Sequence, residues 1–197
     1  MPQLNLETRE ITLKIVYYGP ALSGKTTNLK QIHAMLAKQV RGDMVTLDTQ
    51  DDRTLYFDFL PVEFGVDGGF KIKLKLFTVP GQVLHRSTRR VVLAGADAVA
   101  FIADSQRSAS SANAYSYRDL EDIKPLEEVR KAWEGTGIPT IPAAAAKGEG
   151  VIETFEALLV RLFRHLDQRH SFGQKFGVSE QQFIQGVVGH FQENKGA

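Results

Sequence analysis

Gly19-Pro20-Ala21-Leu22-Ser23-Gly24-Lys25-Thr26 is the stretch on which the reading of this chain turns. It fits the phosphate-loop pattern G-x-x-x-x-G-K-[ST] without a mismatch. Immediately before it, Leu13 to Tyr18 is a short apolar, β-branched run, which predicts a strand stopping at the Gly19-Pro20 turn. Immediately after it, Thr26 to Lys38 has no Gly or Pro and spaces Leu29, Ile32 and Leu36 at helical intervals. Strand, glycine turn and helix in this order make a cradle for an anion. The glycines let the backbone wrap the anion so that successive N–H groups point inward, and the helix start adds the positive end of its dipole. Gly19, Leu22, Ser23, Gly24, Lys25, Thr26 and Thr27 are the candidate phosphate-binding residues. The Lys25 ammonium would reach the β- and γ-phosphates and the Thr26 hydroxyl would ligate Mg²⁺. A chance glycine-rich turn would not account for the strand and helix flanking it.

Working outward, Leu55 to Phe64 and Phe70 to Val79 read as strands joined at Asp67-Gly68-Gly69, a hairpin-type turn that predicts an antiparallel pair. Asp58 lies between Phe57 and Phe59 and points opposite to them, which predicts a surface or partner contact. Ala98 to Ala103 is a continuous apolar run, the pattern of a buried strand in a parallel sheet. Ser105 to Ser116 carries little strand signal, Leu126 to Trp133 reads as helical after Pro125, and Ile138 to Ala146 as a short strand interrupted by Pro139 and Pro142. Val151 to Leu166 is the clearest helix, with one apolar stripe through Phe155, Leu159 and Leu162. A break at Ser171 to Gly177 precedes a last amphipathic segment with Phe183, Ile184, Val187, Val188 and Phe191 on one face. Strands alternating with helices predict an α/β, three-layer fold with a mostly parallel sheet and one antiparallel edge hairpin. The expected division is a domain over 1–170 and a C-terminal extension over 171–197 with one amphipathic helix.

Composition narrows the function. The 197 residues carry a net charge of +1 with 43% hydrophobic residues, as expected of one globular domain. The charge balance argues against nucleic acid, which selects a basic excess or stripe. There is no cysteine, which excludes disulfides, thiolate metal sites and a prenylated cysteine anchor. No run of 18 apolar residues and no apolar leader core is present, so the expectation is a cytoplasmic protein without a lipid anchor.

Beyond the phosphate loop, the strings Ile15-Val-Tyr-Tyr-Gly-Pro, Leu22-Ser-Gly-Lys-Thr-Thr-Asn-Leu, Asp52-Arg-Thr-Leu, Phe57-Asp-Phe-Leu-Pro and Thr78-Val-Pro-Gly-Gln stand in order. Together they closely resemble the MglA-type bacterial Ras-like small GTPases, which control cell polarity and gliding motility. The resemblance covers about Leu4 to Ser116 and about Asp119 to Leu166. It implies a Ras-like P-loop fold and a switch that binds GTP and hydrolyses it to GDP with Mg²⁺. It further implies that Thr54 ligates the metal beside Thr26, that Gly81 donates its N–H to the γ-phosphate and that Gln82 orients the attacking water. Thr78 stands where most Ras-like proteins have Asp, a departure that MglA-type proteins share. Arg53 resembles an arginine finger supplied in cis; without Gln82 and Thr54 beside it, a solvated loop cation would be the better reading. The implied partner is a roadblock/LC7-type activating homodimer that reads the switch surfaces, with placement at cell poles through partners. Phe57, Phe59 and Leu60 are candidates for that contact, or for sheet core.

The guanine-reading Asn-Lys-x-Asp motif has no match. Its nearest string is Ser116-Tyr117-Arg118-Asp119, in which Asp119 could still take hydrogen bonds from a guanine, with weaker selection. Ala144-Ala145-Ala146-Lys147-Gly148 resembles the Ser-Ala-Lys motif, with Ala146 keeping the backbone donor and Lys147 following it. From Asp104 to Ala146 the chain has about 42 residues. The resemblance implies on the order of 25 more, the length of a helix, a strand and their connections. Two explanations stay open: a real deletion, with the last strand shifted or a partner covering the gap, or a segment missing from this sequence near Tyr115 to Tyr117. The alternative functions are a nucleotide-gated interaction module without significant hydrolysis and an ATPase.

Overall fold

The computed structural model describes residues 2–47, 57–66, 68–82, 85–123 and 140–192. Six strands are described: β1 (Gln3–Asn5), β2 (Glu10–Tyr18), β3 (Val45–Leu47), β4 (Phe57–Val66), β5 (Phe70–Thr78) and β6 (Ala98–Phe101). The helices are α1 (Lys25–Met35), α2 (Arg86–Leu93), α3 (Ser110–Ile123), α4 (Val151–His170), α5 (Phe172–Phe176) and α6 (Glu180–Val188).

β2, the strand that leads into the phosphate loop, organises the sheet. It runs parallel to β5, with Ile15 opposite Leu76, and parallel to β6, with Tyr18 opposite Phe101. From Ile15 to Tyr18 both faces of β2 are apolar and both are covered, whereas Glu10, Thr12 and Lys14 leave one face polar in the first half. Ile11, Leu13, Ile15 and Tyr17 pack with α1, α4 and α6, whereas Val16 and Tyr18 pack with Val92 and Leu93 of α2 and Leu120 of α3. This doubly buried strand explains the near-continuous hydrophobic run in its sequence. The result is three layers, with helices on both faces of the sheet.

The sheet is mixed rather than mostly parallel. β4 and β5 form the expected antiparallel hairpin, and its turn places Gly68 and Gly69 at φ +90° and +76°. Two further antiparallel pairings, β1 on β2 and β3 on β4, extend it. These strands are three residues each, too short to show an alternation in the sequence. Ser110–Ile123 forms a helix where the sequence showed only weak strand signal. Residues 140–146 contain no strand: Ala144 donates its N–H to the Glu149 carbonyl, and Ala145–Lys147 is a single 3-10 turn. Pro142 removes a ladder donor there. The segment Leu126 to Trp133 lies outside the described residues.

The C-terminal helix is seated in the main core. Ser179 and Gln182 cap α6 reciprocally, the Ser179 hydroxyl accepting from the Gln182 N–H and the Gln182 side chain from the Ser179 N–H. Phe183 and Val187 are fully buried, and the Phe183 ring meets Phe64 edge-on at 5.9 Å. The chain then reaches α1, where the Ala37 N–H donates to the His190 carbonyl and the Gln192 N–H to the Met35 carbonyl.

Candidate functional site: a phosphate loop against a buried aspartate

The loop between β2 and α1 takes backbone conformations that its sequence allows. Gly19 has φ +148°, and a Cβ there would overlap the Ile102 carbonyl. Gly24 has φ +93° and caps α1 without a side-chain bond, so the first-turn N–H groups remain directed at the loop. Leu22 also has a positive φ, +61°, and its side chain is 98% exposed, so the loop tip points a leucine into solvent. Ser23 Oγ is buried and has no hydrogen-bond partner among the described residues. An orphaned buried hydroxyl in a glycine-rich loop fits an anion's oxygen.

Lys25 is buried in this loop. Its Nζ donates to the carbonyls of Gly19 at 3.0 Å and Pro20 at 2.5 Å. Burial first, and the Arg89 charge second, push its pKa down to about 8. A bound phosphate would offset both effects by supplying an opposite charge.

The main correction concerns Asp58. It is not a surface contact but is 5% exposed, at the centre of a cluster of hydroxyls. Its Oδ2 accepts from Thr26 Oγ1 at 2.6 Å and from Thr78 Oγ1 at 2.8 Å, while its Oδ1 accepts from Thr46 Oγ1 at 2.9 Å. Its own N–H donates to Thr78 Oγ1 at 2.9 Å. The sequence held a signal for this: Asp58 shares its alternation with Leu60, Val62 and Phe64, all core residues. Residues on that face point inward, so Asp58 does too. Phe57 and Phe59 lie half-buried on the other face around the Phe77 ring, at 5.8 and 4.9 Å, and Leu60 is core.

The Thr26 hydroxyl and the Asp58 carboxylate are hard oxygen donors beside the phosphate loop, a set that fits Mg²⁺. Among the described residues there is no group of three or more His, Cys, Asp or Glu side chains. Thr54, the other expected metal ligand, and Arg53 lie outside the described residues.

Gly81 presses on the loop: a Cβ there would overlap the backbone of Pro20 and Ala21. Gln82 follows it, exposed, at the mouth of a cleft of about 390 Å³ shared with Pro20, Arg89 and Tyr115. The two base-site candidates separate. The turn holding Ala146 and Lys147 leans on α1, where Gln31 Nε2 donates to the Ala146 carbonyl at 3.4 Å. Asp119 instead lies on the cleft side beside Gln82. Its Oδ2 accepts from the Tyr18 hydroxyl at 2.6 Å and Arg89 Nε at 2.7 Å, and its Oδ1 pairs with Arg86 Nε at 2.9 Å. Both carboxylate oxygens are therefore engaged within the protein, which differs from the expectation of a base reader. Sequence reading missed Arg89, because an arginine in a helix of five polar residues out of eight reads as solvated.

No family model matches the chain. The mutual gliding-motility protein MglA of Myxococcus xanthus (strain DK1622) is 40% identical to it over 183 residues, which is 80% of this chain and 94% of that protein. The chain belongs to the MglA family of small GTPases. The alignment also measures a gap. Since 80% of 197 residues is about 158, about 25 of the 183 aligned positions have no counterpart in this MglA-family chain. That equals the shortfall inferred between Asp104 and Ala146.

Proposed function

We propose that this MglA-family chain is a Ras-like molecular switch that binds GTP and hydrolyses it slowly to GDP, serving cell polarity and gliding motility. The observation that carries the reading is the junction of the phosphate loop with the Thr26–Asp58 pair. The loop amides and Lys25 bind the β- and γ-phosphates. Thr26 and Asp58 hold Mg²⁺, with Thr54 as the expected further ligand, and Asp58 stands in for the aspartate that most Ras-like proteins carry at the Thr78 position. When bound, Mg²⁺ neutralises charge between the phosphates. Gly81, already against the loop, donates its N–H to the γ-phosphate and sets Gln82 beside it to orient the attacking water. Arg53 neutralises charge developing in the transition state. A roadblock-type homodimer is the activating partner, and the protein works in the cytoplasm, reaching cell poles through partners. No described helix is long and apolar enough to cross a membrane.

Gln82→Leu tests this. The variant should keep its nucleotide and lose hydrolysis in a single-turnover assay; unchanged turnover would sink the mechanism. The engagement of Asp119 favours a second reading, a loop that holds triphosphates with little preference for guanine. Competition between GTP and ATP for the purified protein separates the two, a preference for GTP of less than about tenfold supporting the second.

A further inference from the structure

Arg89 lies on α2, and its side chain is buried at 3% exposure. Its guanidinium does two things at once. Nε donates to Asp119 Oδ2 at 2.7 Å, which ties α2 to α3. Nη1 donates to the main-chain carbonyls of Gln82 at 2.5 Å and Pro80 at 3.3 Å. Asp119 is itself buried and accepts from the hydroxyl of Tyr18, the residue immediately before Gly19 of the phosphate loop. A hydrogen-bonded path therefore runs from the end of β2, through α3 and α2, to the backbone of Gln82. Removing a guanidinium and a carboxylate from water is costly, and an apolar pair of the same size would often stabilise the fold as well or better. The geometry shows what such a pair would lose: a planar fork that can grip a carboxylate and two carbonyls together.

We propose that Arg89 is a positioning residue for Gln82. Held by Asp119, it fixes the main chain over Pro80–Gln82 at the level of the phosphate loop, so that the Gln82 side chain is presented to the water beside the γ-phosphate. Arg89 acts through the Gln82 backbone rather than on the nucleotide. This rests on the reading of Gln82 as the residue that orients water.

The test uses Arg89→Lys, which keeps the charge but cannot grip all three acceptors, and Asp119→Asn, which keeps the shape and weakens the anchor. Each is measured for single-turnover GTP hydrolysis and for release of bound GDP, alone and combined with Gln82→Ala. We expect each to slow hydrolysis by about tenfold or more, with GDP release within about threefold of the wild type. In the Gln82→Ala background neither should slow it further, because the residue they position is gone. Wild-type hydrolysis in both single variants would overturn the clamp and leave the role of Gln82 standing. So would a full additional slowing in the Gln82→Ala background, since Arg89 would then act by another route. Wild-type hydrolysis in Gln82→Ala alone would overturn the role of Gln82 and the clamp with it. If Arg89→Lys does not fold, Asp119→Asn decides by the same comparisons.

Discussion

Thr26, on the helix behind the phosphate loop, donates its hydroxyl to Asp58 of the neighbouring hairpin across 2.6 Å. The same carboxylate oxygen takes the Thr78 hydroxyl at 2.8 Å, so three elements meet at one buried charge. If this carboxylate helps to hold Mg²⁺, the metal should slow nucleotide release through it. In Asp58→Asn, release of a fluorescent GDP at saturating Mg²⁺ should approach the rate seen in excess chelator. A Mg²⁺ response as large as the wild type's would remove Asp58 from the metal site. Asp58→Ala should in addition lower the stability of the nucleotide-free protein by about 1–3 kcal/mol, because three hydroxyls lose an acceptor.

If Lys25 holds the phosphates, as proposed, it makes nucleotide binding pH-dependent. In the free protein its pKa is pushed down to about 8, and a bound phosphate raises it again. The bound form therefore holds more protons above about pH 8, and affinity must fall as pH rises from there toward the ordinary lysine value. The slope should approach tenfold per pH unit over that range. Calorimetric titration near pH 9 in buffers of different ionisation enthalpy should show uptake of nearly one proton. Stability of the free protein runs the other way. The depressed pKa leaves the unfolded chain holding more protons in this window, so stability rises with pH across it.

Gly81→Ala probes the contact between the segment that follows β5 and the phosphate loop. The added Cβ overlaps the Pro20–Ala21 backbone, which has no flexible side chain to move aside. The nucleotide-free protein should lose about 1–3 kcal/mol in urea unfolding, the usual cost of overpacking. A variant with the wild-type midpoint would show that the two segments do not press together.

Phe183→Ala asks whether the C-terminal helix is part of the domain's core. Phe183 is fully buried against Phe64, Phe163 and Phe172. Its truncation should cost about 3–5 kcal/mol. Gly186→Ala should also destabilise, because the new methyl would overlap the Phe64 ring. Losses below about 1 kcal/mol in both would mean that the helix only rests on the surface.

What was legible in the sequence divides along physical lines. Strand, loop and helix around Gly19–Thr26 were readable because each leaves a local mark: a β-branched run, fixed glycines and a helical spacing. The β4–β5 hairpin was readable from its glycine turn. Asp58 was misread although its own strand announced it. Alternation tells which residues share a face, but not which face is covered, and apolar Phe57 and Phe59 on the opposite face make Asp58 read as the outward one. Asp119 and Arg89 were opaque for a different reason. Their meaning lies in a pairing thirty positions apart, between helices whose composition alone reads as solvent-facing. The short edge strands β1 and β3 left no mark because three residues cannot display a period.

The last described turn of the chain pairs Phe191 with Leu36, about 155 positions earlier, at the far end of the helix that begins in the phosphate loop. Loop-closure entropy disfavours such a contact until the intervening chain is ordered, which places it among the late events of folding. The helix that begins in the phosphate loop thus receives its final seat from residues that arrive last. On the proposed function, nucleotide capture is thereby tied to completion of the whole domain, and a half-folded chain has no finished cradle with which to withdraw nucleotide from the cell's pool.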